Sequence, residues 1–128
     1  MRYLYFADPM DDIKAEGRII SRRLHCILGK DIKLKTTDLL PFDRTDFDVL
    51  FFDWGGMSIG NSMSESFCRE IIEHAREHPS KLYIMNSDFS RRAMVEVQSE
   101  LKLEHEIFNN IFNDIDDASE LLKEWDKS

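Results

Sequence analysis

The chain has 128 residues, 42% apolar and 33% charged, with a formal net charge of −8; that is enough apolar material for one buried core, and too acidic for a protein that neutralises nucleic-acid phosphates with a basic face. No apolar run approaches the ~20 residues of a membrane span, and the opening MRYLYFADPMDD lacks a secretory pattern. A single cytoplasmic domain over residues 1–128, without membrane contact, is therefore expected.

In chain order, RYLYFA (2–7) is an aromatic and aliphatic run ended by Asp8-Pro9, and reads as a first strand. Asp11 or Asp12 is placed to cap a helix with Ile13, Gly17, Ile20, Leu24, Ile27 and Leu28 inward and Gly29 as its stop. Gly17 on that face predicts a close approach of helix to sheet, whereas Arg18, Arg22 and Arg23 read as a solvated helix face rather than a binding patch. DIKLKT (31–36) alternates like a half-buried edge strand, and TDLLPFDRTD (37–46), broken by Pro41, supports no more than a turn.

The VLFF of FDVLFFDW (47–54) is apolar throughout, which suits a central strand covered on both faces. After a glycine-rich loop, Ser62 and Glu65 stand at capping-box spacing before a helix with Phe67, Cys68, Ile71, Ile72 and Ala75 inward and Pro79 beyond its end. His74 and His78 on it read as a solvated helix end. KLYIMN (81–86) is a further strand; Ser90 caps a helix with Met94, Val97 and Leu101 inward; a short strand is expected at Asn110–Asn113. Asp117 and Glu120 cap a last helix carrying Leu121, Leu122 and Trp125. Cys26 and Cys68, in helical stretches without CxxC spacing, read as reduced, buried thiols.

This alternation predicts an α/β fold: a three-layer, doubly wound, five-stranded parallel sheet in the flavodoxin-like order 2-1-3-4-5. The carboxyl ends of the first and third strands then meet at the switch point where such folds take ligands, so Asp8 and Asp53 share an edge, with Asp11 or Asp12 nearby. Clustered carboxylates there suit Mg²⁺, which prefers hard oxygen ligands. Gly55, Gly56 and Gly60, with Ser58 and Ser62, offer amides and hydroxyls to an anion ahead of a helix N-terminus, although neither GxGxxG nor a P-loop is present. The bland alternative makes Asp53 a turn-closing residue. Gly56-Met57-Ser58-Ile59-Gly60 matches GxSxG, but the strand ends too early for a nucleophile elbow. Arg91 and Arg92 read as surface arginines in preference to phosphate ligands.

The acids after the first strand, the aspartate ending FDVLFFD and the small polar residue after the fourth strand together resemble a response-regulator receiver domain, over the whole chain. The resemblance implies Mg²⁺ at Asp8 with Asp11 or Asp12, Asp53 as phosphoacceptor, and Asn86 or Ser87 at the switch position. It also implies a regulatory or protein-interaction module engaging a protein partner or a small phosphorylated ligand. Pro9-Met10 after Asp8, and the missing lysine and proline in NNIFNDIDD, depart from that family and imply a degenerate ligand edge. In a second likeness, Asp53, the glycine-rich loop and Glu65 are similar in outline to nucleoside deoxyribosyltransferase-like enzymes. That likeness implies Glu65 as the catalytic carboxylate and Ser58 or Ser62 as a phosphate or hydroxyl contact.

Overall fold

The computed structural model describes residues 1–8, 12–37, 46–54, 61–106 and 108–127, the side chains of 61–64 excepted. Strands β1 (Tyr3–Ala7), β2 (Leu34–Thr37), β3 (Val49–Asp53), β4 (Leu82–Met85) and β5 (Ile111–Phe112) alternate with helices α1 (Ile13–Leu28), α2 (Asn61–Glu77), α3 (Asp88–Glu100) and α4 (Ser119–Asp126). Every pairing is parallel and the order is β2-β1-β3-β4-β5, so the expected doubly wound sheet is present with β3 at its centre.

Strand alternation divides the core in two. Leu4, Phe6, Leu50, Phe52, Tyr83 and Met85 face α2 and α3, whose Ile71, Ile72, Met94 and Val97 fill that layer. Tyr3, Tyr5, Val49, Phe51, Leu82 and Ile84 face α1 and α4 and meet Ile20, Leu24 and Leu122. All five residues of β3 are buried because helices cover both its faces. Among the described residues no helix is long and apolar enough to cross a membrane.

Several local expectations change. Asp12 caps α1, its Oδ1 accepting from Ala15 N at 3.1 Å, and Gly29 ends the helix at φ 72°, as read. A Cβ built on Gly17 would meet Thr36 Cγ2, Leu34 Cδ2 and Tyr5 Cδ2 at 3.8, 3.9 and 4.0 Å, ordinary contact distances, so the helix does not approach closely enough to require glycine. The edge strand starts at Leu34 rather than Asp31, since Asp31 and Lys33 are exposed and only the later residues pair with β1. Because α2 already begins at Asn61, Ser62 lies within the helix instead of capping it. Ser87, not Ser90, caps α3, accepting from Ser90 N at 3.2 Å. α4 has Ala118 at its N-cap and no side-chain cap bond, so Asp117 does not cap it. Cys68 is buried as expected, but Cys26 is exposed. The turn read at 38–45 lies outside the described residues.

Candidate functional site at the carboxyl edge of the sheet

Asp53 closes β3 at the junction with β1, and in-register pairing sets it opposite Ala7. Two residues earlier on each strand, Tyr5 lies opposite Phe51 on the α1/α4 face. The phenol is long enough to reach one pleat forward, and Tyr5 Oη donates to Asp53 Oδ2 at 2.8 Å in a buried bond. From the other neighbouring strand, Asn86, the residue after β4, donates its Nδ2 to the same oxygen at 3.3 Å. The backbone follows the same path: Asp8 N donates to Asp53 O at 3.3 Å and Asn86 N to Phe52 O at 2.8 Å. A carboxylate only 7% exposed is thereby tied to the ends of three strands. Its two hydrogen bonds among the described residues both fall on Oδ2, so Oδ1 retains its acceptor capacity.

Asp8 is fully buried beside it, joined through that backbone bond. Asp12 stands farther along, its carboxylate occupied by the α1 cap. Asp11, Gly55, Gly56, Ser58 and Gly60 lie outside the described residues, and the side chain of Ser62 does too. Mg²⁺ commonly takes one or two carboxylates and completes its shell with water or phosphate oxygens. Asp53 and Asp8 are the two acids that the backbone joins at this edge, and among the described residues no three His, Cys, Asp or Glu side chains gather into a metal-holding group.

Ser87 follows Asn86 and is engaged at the start of α3, its Oγ 2.9 Å from that of Ser90. Arg91, one turn on, pairs with Asp88 at 2.7 Å and donates to the Asn113 carbonyl; Arg92 is exposed. Both therefore behave as surface arginines. Glu65 is not brought to Asp53. It sits on α2, on the opposite side of the sheet from the Tyr5 hydroxyl, hydrogen-bonded to Glu96 of α3. Hydrogen bonding with Glu96, then partial burial and the nearby charge of Glu100, hold the Glu65 carboxyl above the usual range.

Tyr5 is the member of the cluster that the sequence reading missed. A tyrosine in an otherwise apolar central strand needs a hydrogen-bond partner for its hydroxyl, and that need was the available signal. Comparison of the chain with protein-family models, with curated proteins and with solved structures finds no match.

Proposed function

We propose that the chain is a regulatory, protein-interaction module on a receiver-like frame, with Asp53 as its held acceptor. The observation that supports this reading is the clamp on Asp53 Oδ2 by Tyr5 and Asn86, which leaves one carboxylate oxygen for an incoming group. Anything that pulls on Asp53 also pulls on Asn86, and Asn86 is covalently next to Ser87, the cap of α3. A charge arriving at the sheet edge is thus coupled to the start of a helix, which is the connection a switch requires. Mg²⁺ would be held by Asp53 with Asp8 and would offset the negative charge of a phosphorylated ligand.

Thermal unfolding of the parent, Asp53→Asn and Asp8→Asn, with and without millimolar Mg²⁺, tests the reading. An ion a few times above its dissociation constant adds roughly 1 kcal/mol to the parent; Asp53→Asn removes that increment and Asp8→Asn reduces it. Identical responses in all three would leave Asp53 a turn-closing residue. Intact mass after treatment with a small phosphoryl donor should show little durable adduct, since NNIFNDIDD carries no lysine to hold one. Turnover of a nucleoside, lost in Glu65→Gln, would instead favour the glycosyl-transfer alternative.

A further inference from the structure

β2 is one of the sheet's two outer strands and, among the described residues, pairs only with β1, which leaves one row of its backbone amides and carbonyls on the outer side. Alongside runs α1, whose Lys14, Arg18 and Arg22 recur every four residues and share a face. Lys14 and Arg18 border a groove of about 280 Å³ floored by Ile13, Gly17 and Leu34. Arg22 borders a second groove, of about 500 Å³, over Ile32 and Cys26, and Ser21 belongs to both. The two meet at Ser21 and run between the helix and the edge strand with the residues that lead into it; the floor is apolar and the rim basic apart from Asp31, which is held by His25 at 3.2 Å.

Of the eight described arginines five are paired with acids, and Arg18, Arg22 and Arg92 are not. Arg2, Arg23, Arg69, Arg76 and Arg91 each hold a carboxylate. Among the described residues Lys14, Arg18, Arg22 and the exposed Lys35 of β2 hold none, in a chain whose net charge is −8. An acidic protein has gathered unpaired cations beside an open strand edge.

We infer that these two grooves receive an extended acidic segment of a partner protein, added to β2 as a further strand. Four helical residues advance about 6 Å and two strand residues about 6.6 Å. Acids at alternate positions of an added strand therefore keep step with Lys14, Arg18 and Arg22, while the residues between them fall beside Lys35 and Thr37. Backbone pairing supplies affinity and the acid spacing supplies selectivity. The chain's own alternating acids do not fill the role, since Asp114 and Asp116 already bind Arg23 at 3.1 and 3.0 Å. Nucleic acid fits less well because the acidic remainder repels a polyanion and the strand edge would go unused. The inference rests on the interaction-module reading for its partner class and specifies that partner's chemistry.

Fluorescence anisotropy with the full chain tests it, using a labelled ten-residue peptide of alternating Glu and Val and a second peptide of the same composition with the acids in one block. The alternating peptide should bind about tenfold tighter, the double variant Arg18→Glu/Arg22→Glu should lose that binding by about tenfold or more, and Arg92→Glu should stay within about twofold of the parent. Circular dichroism of the double variant confirms that it folds, and hydrogen exchange of the parent should show new protection within Leu34–Thr37 when peptide is added. Equal affinity for the two peptides, equal loss in Arg92→Glu, or no saturable binding overturns the inference. So does tighter binding of a single-stranded oligonucleotide that the same double variant abolishes. None of these outcomes alters the Mg²⁺ response of Asp53, so failure here is separable from failure of the proposed function.

Discussion

Tyr5 is the side chain whose loss most directly tests the clamp. Tyr5→Phe keeps the buried ring and deletes the hydroxyl that donates to Asp53 Oδ2 at 2.8 Å. Among the described residues the carboxylate then keeps Asn86 alone, in a place that water reaches poorly, and the cost should be about 1–3 kcal/mol in urea unfolding. In the Asp53→Asn background the same change should cost less, because the bond no longer involves a carboxylate; equal costs would deny the coupling. Gly17 argues in the opposite direction. Its helical backbone needs no positive φ, and the nearest atoms stand at 3.8 Å from an added Cβ. Gly17→Ala should therefore stabilise the protein by about 0.5–1 kcal/mol, and a lower melting temperature would mean that α1 seats more tightly than these distances imply.

Among the elements, α2 departs most from its sequence reading. Helical spacing puts His74 and His78 on one face, and neighbouring glutamates suggested that this face is solvated. In the fold His74 is 8% exposed, shares a hydrogen bond with the Tyr83 hydroxyl of β4, and stacks on Phe47 and His78. Burial, then the charges of His78 and Lys81, push its pKa below the ordinary 6.5. The unfolded chain protonates His74 near 6.5 and the folded protein only at lower pH, so neutral His74 favours folding above that value. Stability should fall as pH drops from 6.5 towards the folded pKa, and His74→Gln should lack that portion of the slope. The parent-minus-variant difference is the quantity to measure, since Glu65, raised by its bond to Glu96, acts in the opposite sense as it protonates. Parallel curves for the two proteins would show that His74 does not titrate on unfolding.

At the scale of the molecule, one sheet carries two cores, and each has its own tryptophan. Trp54 belongs to the layer under α2 and α3, and Trp125 packs against the layer under α1 and α4. Since β3 contributes alternate residues to both, neither layer can be lost without exposing the other's strand. Urea midpoints read from Trp54→Phe and from Trp125→Phe should coincide once each is corrected for its own stability change, as one cooperative unit requires; separated transitions would make the cores independent. Charge follows the same economy of contacts. Residues 96–128 carry 3 Lys and Arg against 10 Asp and Glu, yet α1 and the turn after it reach across with Arg23 to Asp114 and Asp116, and Lys30 to Asp126. Half-exposed pairs of this kind stabilise by only about 0–1 kcal/mol each. They do set cations of α1 and the turn after it beside the surplus acids of the last third.

Strand order and layering were legible in the sequence because they follow from periodicity: a central strand apolar on both faces, helices with one apolar stripe, and parallel connections that leave few topologies open. Asp53 and Asp8 could be placed on one edge by the same logic, which needs only strand direction and order. What Asp53 bonds to was not legible, because Tyr5 lies 48 residues away and Asn86 lies 33 away; only in-register packing of β1, β3 and β4 brings them within 3.3 Å. The helix starts at Ser87 and Ala118 were misplaced because two serines or acids within one turn satisfy the same local pattern, and the difference between them is decided by where the preceding strand or loop releases the chain. His74 and Cys26 exchanged the environments expected of them for a related reason. Helical spacing tells which residues share a face, but only the packed sheet decides how wide the buried face is, and that width is a property of the neighbours rather than of the helix.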